Sequence, residues 1–300
     1  MSACYVAMKH LFPEVPVNGG AFRPATFNIP PKTIISAEYP TPVGGYLEVL
    51  GRVVDAVFGA LSQAIPDRTP AGSFGTTGVC TVGGRHPDTG NFFVGVFPYP
   101  GGYGATRATD GLVHGNTPQS MANFMSLEMS EHRYPVRFDY FRMREDSGGP
   151  GWHRGGCGSE YQFTVWSECV TSVLGDRVDS APFGIVGGGN AKPNEVRIHN
   201  GGKAWVPPFR SKIEKEPLKP GEGVEAHSPG GGGFGNPLER DPVEIERDLN
   251  LGYISRSSAE RDYGAVIGKT SKLGDRTVFT LDVEATQRER QRRIQRKETR

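Results

Sequence analysis

Glycine beside glycine constrains this chain more than any other feature. In REDSGGPGWHRGGCGSEYQF, residues 144–163, Gly148-Gly149 and Gly155-Gly156 bracket Trp152, His153 and Arg154; further runs stand at PYPGGYG (98–104), VGGG (186–189) and SPGGGGFG (228–235). A residue without Cβ reaches φ > 0 at little cost and lets backbones approach closely, so these runs point first to a conformational role. Within the 144–163 stretch, Asp146 can accept backbone hydrogen bonds and Arg154 can pair with it or with another carboxylate across the turn. Direct ligand contact is the alternative, because loops on a rigid scaffold often carry function.

The 42 glycines and 24 prolines of the 300 residues are dispersed among apolar runs, which indicates a turn-rich globular chain. The length suits one large or two ordinary domains. A formal net charge of +1 with 22% charged residues argues against an electrostatic nucleic-acid binder. Cys4, Cys80, Cys157 and Cys169 lack the C-x-x-C pairing of zinc sites, and the N-terminus has no signal-peptide pattern, so reduced thiols in a cytoplasmic protein are expected. No apolar stretch reaches the length of a membrane span.

The clearest helix lies in YLEVLGRVVDAVFGALSQAIPD, where Leu47, Leu50, Val54, Val57, Phe58, Leu61 and Ile65 recur at steps of three and four; Glu48, Arg52 and Asp55 share a more polar face. Residues 72–104 read as a β-hairpin or meander. A second helix is expected in SMANFMSLEMSEHRYP, with Met121, Phe124, Met125 and Met129 packing and Pro135 ending it. Short apolar runs then suggest an antiparallel β layer or sandwich. Asp241 as N-cap, Pro242 at the first helical position and Glu244 three after the cap predict a helix, and Ser255 to Gly264 repeats the device. The expected fold class is therefore α+β: β-rich, with a long amphipathic helix in the first half, the β layer or sandwich in the second and a C-terminal helical hairpin. The expected division is an α+β segment at 1–134, a β-rich domain at 135–238, a helical hairpin at 239–267 and a basic polar tail at 268–300, either a solvated helix or frayed.

SPGGGGFGNP contains G-x-G-x-x-G at Gly230, Gly232 and Gly235, but Pro229 and Pro237 spoil the strand-to-helix context of a dinucleotide site, and no Lys-Ser or Lys-Thr closes a phosphate loop. It reads as a wide turn between a strand and a Pro-initiated helix. In PYPGGYGATRATDGLVHGN, Arg107, Asp110, His114 and Asn116 place donors, a carboxylate and an imidazole beside glycines, a candidate ligand loop. The histidines form no H-x-x-x-H or H-x-H set, so no metal site is expected from this chain alone. No G-x-S-x-G elbow occurs.

Taken in order, VPVNGGAFRP, PTPVGGYLEVLGRVVDAVFGAL, DGLVHGN, LEMSEHRYP, REDSGGPGWHRGGCGSEYQF, SVLGDR, FGIVGGG and SPGGGGFGNPLERDP resemble the hydantoinase B/oxoprolinase family over about residues 5 to 267. The resemblance implies a B-type subunit working with an A-type, ATP-binding subunit. The implied reaction is ATP-dependent hydrolysis of cyclic amides, namely 5-oxoproline, hydantoins or lactams; the alternatives are ATP-dependent ketone carboxylation of the acetone/acetophenone type, or a non-catalytic assembly module. A small-molecule binding module is a further reading. The resemblance also places ATP and Mg on the partner and the family's His and Asp metal ligands in the earlier half of the B subunit. This chain is expected to be the later half, inactive alone, with another chain supplying the earlier half. Asn18 and Arg23 match N-x-G-x-x-R-P, and Asp146 to Gly158 match D-S-G-G-x-G-x-x-R-G-G-x-G. Asp110, His114 and Glu128 are the expected catalytic polar groups near a substrate passage. Asn18, Arg23, Arg107 and Asn116 are the expected substrate-binding groups, and Asp146, Arg154, Gly148 and Gly155 the expected loop-forming residues.

Overall fold

Alternation of apolar and polar residues builds the centre of the molecule, a computed structural model that describes residues 1–117 and 124–298. Strands β1 (Val79–Arg85), β2 (Phe92–Pro98), β3 (Val136–Met143), β4 (Ser159–Val165), β5 (Cys169–Leu174), β6 (Glu195–Asn200), β7 (Lys203–Trp205), β8 (Lys212–Leu218) and β9 (Gly223–His227) form two antiparallel sheets, ordered β2-β1-β5-β8 and β3-β4-β9-β6-β7. On β4 every second side chain, Tyr161, Phe163 and Val165, is buried, as period-two patterning requires. Their inner faces share one core, in which Phe97 meets Phe163 at 5.4 Å between ring centroids and Tyr99 meets Tyr161 at 6.0 Å. The hairpin at 79–98 thus shares a sheet and a core with strands from beyond residue 134.

Helix α1 (Ser2–Leu11) packs on α2 (Tyr46–Leu61) through Ala3, Ala7 and Leu11 against Val54 and Phe58. The face of α2 read as more polar is not solvated: Glu48 and Asp55 are buried. Glu48 accepts from the Thr76 hydroxyl and the Thr77 N–H, both at 2.7 Å, while Asp55 is held by Arg52 and Arg177. Buried charge persists because it is paired and hydrogen-bonded. Helix α3 (Leu127–Arg133) begins later than the methionine pattern suggested, and Met125 and Met129 are exposed rather than packed. Met121 lies outside the described residues.

Asp241 caps α4 (Pro242–Leu251) by accepting the Val243 N–H at 2.8 Å, and Ser255 caps α5 (Arg256–Tyr263), which ends at Gly264 with φ +64°. Within the segment read as a basic tail, residues 268–298 hold structure: β10 (Ile267–Leu273) pairs with β11 (Arg276–Leu281), and α6 (Val283–Glu298) follows. Leu281 enters a small core with Ile245, Leu249, Ala259 and Tyr263, and Arg290 donates to the Tyr263 carbonyl at 2.9 Å, so apolar and hydrogen-bond contacts anchor the segment. No helix among the described residues is long and apolar enough to cross a membrane.

Candidate functional site

Strand registers carry the glycine-rich segments to one end of the sandwich. Met143 pairs with Ser159, and both Glu160 and Glu195 pair with His227; in the other sheet Val79 pairs with Pro98 and with Leu174. The connections 99–117, 144–158, 175–194 and 228–236 therefore leave from the same end, and Ser159 and Ser228 tie them together by donating to the Pro100 carbonyl. There the glycines interlock. Gly149 N–H donates to Gly231 O (2.8 Å), Gly231 N–H to Gly156 O (2.9 Å), Gly156 N–H to Tyr103 O (2.9 Å), Ala105 N–H to Gly232 O (2.9 Å) and Gly233 N–H to Gly189 O (3.0 Å). Each segment thus bonds to several others, which satisfies buried backbone groups without a regular sheet.

This geometry explains the glycine pairs and corrects one expectation. Gly148, Gly149, Gly155 and Gly156 are not in the φ > 0 region; Asp146 is, at +60°. What the glycines supply is closeness: a Cβ on Gly155 would lie 1.8 Å from Gly231 O, and one on Gly148 2.2 Å from Gly155 O. Residues 230–233 likewise form buried backbone inside the layer, not a wide surface turn, and the helix that follows Pro237 is a single 3-10 turn, Pro237–Glu239.

Against this layer lies a lattice of two arginines and two aspartates. Arg240 donates to both oxygens of Asp110 (2.8 and 2.7 Å) and to Asp248 (2.8 Å). Arg154 donates through Nε to Asp248 (3.1 Å), its backbone N–H donates to Asp110 (2.8 Å), and its guanidinium lies 4.4 Å from the Tyr253 ring centroid. Both arginines and Asp248 are almost fully buried. Burial alone would raise the Asp110 carboxyl, but the Arg240 hydrogen bonds and the charges of Arg240 and Arg154 outweigh it and hold Asp110 below the usual carboxylate range. Arg240 and Asp248 were not singled out from sequence. The available signal was Asp248 lying on the Ile245–Leu249 face of α4, a carboxylate in an apolar stripe.

His114 lies on the same 106–117 loop as Asp110, at φ +53°, half-buried, with Nε2 3.0 Å from Gly158 O. A carbonyl only accepts, so Nε2 carries the proton and Nδ1 the lone pair. Burial lowers the His114 pKa, partly offset by that hydrogen bond, which favours the neutral imidazole. Asp146 accepts the Ser255 N–H at 2.7 Å, which ties the 144–158 loop to the α5 cap; the carboxylate partners of Arg154 are Asp248 at 3.1 Å and Asp110 at 3.9 Å. Arg107 pairs with Asp67 at 2.5 Å on the surface, and Asn116 accepts the Thr117 N–H at 2.7 Å. Asn18 accepts the Gly20 and Ala21 N–H groups (2.9 and 3.1 Å) in an exposed turn that also holds the exposed Arg23. Glu128 is exposed in the first turn of α3, and no hydrogen bond or ion pair joins it to Asp110 or His114 among the described residues. The structure thus gathers Asp110, Arg154, Gly148 and Gly155 around the lattice and layer, with His114 alongside, and leaves Asn18, Arg23 and Glu128 on other surfaces.

Among the described residues no three His, Cys, Asp or Glu side chains are arranged to hold a metal ion.

The molecule is a β-sandwich capped at one end by an interlocked glycine layer and an arginine–aspartate lattice. The chain belongs to the hydantoinase B/oxoprolinase family, whose model matches residues 1–237. An uncharacterized protein of Methanocaldococcus jannaschii is 36% identical over 277 residues, covering 92% of this chain and 47% of that protein. Caprolactamase subunit beta of Pseudomonas jessenii is 28% identical over 287 residues, covering 92% and 49%. The crystal structure of the ATP-dependent caprolactamase from that organism matches with a TM-score of 0.81 over 97% of this chain and 50% of the matched chain, at 28% identity. An acetone carboxylase structure shares the fold, with a TM-score of 0.79 at 22% identity over 100% of this chain and 44% of that one. The chain spans about half the length of these relatives.

Proposed function

We propose that this chain is the later half of a B-type subunit of an ATP-dependent amidohydrolase of the hydantoinase/5-oxoprolinase type, acting on cyclic amides. The observation that carries the reading is the family match over residues 1–237. A cyclic amide is a poor electrophile with a poor leaving group. An A-type partner would use ATP and Mg to phosphorylate the amide oxygen; water would add at the activated carbon, the ring nitrogen would leave as the amine, and a second water would release phosphate from the acyl phosphate. The B-type subunit positions that carbon and the water, and the part of the B-type fold that this chain does not span would hold the divalent metal. Alone, this chain is inactive. Its four cysteines are free thiols, which suits a cytoplasmic complex.

Asp110 acts here by position: with both oxygens on Arg240 it fixes the loop that carries His114. His114 is the candidate base, since its Nδ1 lone pair is available at neutral pH. Glu128, Asn18, Arg23, Arg107 and Asn116 would contact substrate only where another subunit completes a passage over their surfaces. A division of the chain at residues 134, 238 and 267 is not part of this proposal, since β1 and β5 share a sheet across 134 and Leu281 joins the Ile245–Tyr263 core across 267.

The test is phosphate release by the complex purified through a tag on this chain, with 5-oxoproline, hydantoin or caprolactam as probes. Amide-dependent ATP turnover that Asp110→Ala abolishes, with assembly intact, supports the reading. Unchanged turnover removes Asp110 from the machinery. ATP turnover that depends on a ketone and bicarbonate, with none from the amides, replaces hydrolysis by carboxylation, the reaction named for the acetone carboxylase that shares the fold.

A further inference from the structure

We infer that residues 26–46 and the adjoining side of α2 form the docking surface for the half of the B-type fold that this chain does not span. The inference rests on family membership, not on the proposed reaction. Large apolar side chains stand in water here: Ile34 is 80% exposed, Tyr39 99%, Val43 61% and Tyr46 60%, with Ile35 half-exposed. Of these, Ile34, Ile35, Val43 and Tyr46 line a cleft of about 730 Å³ whose other wall is the start of α1 and the Val49–Val53 side of α2. A contiguous apolar surface of this kind marks an interaction site, whereas scattered exposed apolar residues do not.

The backbone supports the same conclusion. Residues 13–45 contain no helix or strand, and the described backbone hydrogen bonds within them, such as Arg23 N–H to Gly20 O, Ser36 N–H to Thr33 O and Thr41 N–H to Glu38 O, join positions three apart or fewer. The segment is attached to the molecule by side-chain contacts such as Tyr5 with Phe22 and Phe27. It lacks the interlocked backbone bonding of the glycine layer. Relatives about twice as long as this chain supply the occupant: roughly half of their fold lies outside the match. A compact half of that length needs an apolar contact with this one, and this face offers an apolar cleft on the α1–α2 side of the molecule.

The test places a photo-crosslinking p-benzoylphenylalanine at Tyr39, and as a control at Leu273 (74% exposed, on β10), in the full chain expressed in its own cells. The inference expects the Tyr39 product to join a sequence that matches the uncovered half of the family, in the same polypeptide or a co-purifying one, and the Leu273 product not to. Ile34→Asp with Ile35→Asp, at positions exposed enough to leave the fold intact, should cut the Tyr39 yield by about tenfold or more. A Tyr39 product with a second copy of this chain, with an A-type subunit or with no polypeptide overturns the inference. The crosslink needs no turnover, so a complex without ATP hydrolysis would refute the proposed reaction while leaving this result standing.

Discussion

Replacing Gly231 by alanine tests whether the glycine layer is held together by backbone closeness. The added Cβ would lie 1.8 Å from Tyr103 O, 2.0 Å from Tyr103 C and 2.5 Å from Gly104 N, all backbone atoms that cannot rotate away. Ordinary contact begins near 3.4 Å, so the 102–105 and 229–232 segments must part by about 1.6 Å. That separation breaks the two bonds between them, Ala105 N–H to Gly232 O at 2.9 Å and Gly102 N–H to Pro229 O at 3.1 Å. The two N–H and two C=O groups left unpaired cost about 1–3 kcal/mol each, giving about 4–12 kcal/mol before any strain in the neighbours. Against a typical stability of about 5–15 kcal/mol, the variant should unfold at far lower urea or fail to accumulate as folded protein. Gly44→Ala is the control, because its Cβ would meet nothing within 4 Å, and it should stay within about 0.5 kcal/mol of the parent. Urea unfolding followed by tryptophan fluorescence reads both. Equal midpoints for Gly231→Ala and Gly44→Ala would refute the reasoning.

Arg240→Ala leaves Asp248 with Arg154 alone and Asp110 without its bidentate partner, and should cost about 3–5 kcal/mol in urea unfolding; a cost below about 1 kcal/mol would show the lattice to be dispensable. Burial lowers the pKa of His114, and burial with the nearby Arg144 lowers that of His227, so the unfolded chain takes up protons at these sites first as pH falls. The stability they contribute is therefore complete above the ordinary value of 6.5 and is lost as pH falls from there through their depressed folded values; urea midpoints at pH 7.5 and 5.5 measure it, and His114→Asn should reduce the difference. Asp241→Ala removes the acceptor for the Val243 N–H and should cost about 1 kcal/mol, while Asp241→Asn keeps most of it; thermal unfolding distinguishes the two.

Local physics was legible in the sequence where the partner sits a few residues away. Asp241 capping Val243, Ser255 capping Ser258 and the turn at Gly264 need only neighbouring positions, and each stands as its pattern suggests. Turn signals between β-branched and aromatic runs marked the β1–β2 hairpin, and alternating apolar residues marked β4, for the same reason. Long-range geometry was not legible. Glu48 and Asp55 read as a polar face because their partners, Thr76, Thr77 and Arg177, come from other segments. Arg240 passed unnoticed because Asp110 lies 130 positions away in sequence. The glycine pairs signalled a backbone demand, but only coordinates separate left-handed φ from close approach. The basic residues of 268–300 concealed Leu281 and the Arg290 contact that anchor the segment.

The most direct test of the account is mass spectrometry of every polypeptide that co-purifies with the tagged chain from its own cells at moderate salt. The account expects an A-type, ATP-binding subunit together with the B-type half that this chain does not span, in the same polypeptide or in a second one, and amide-dependent ATP turnover by that assembly. A well-folded chain recovered without either would contradict it.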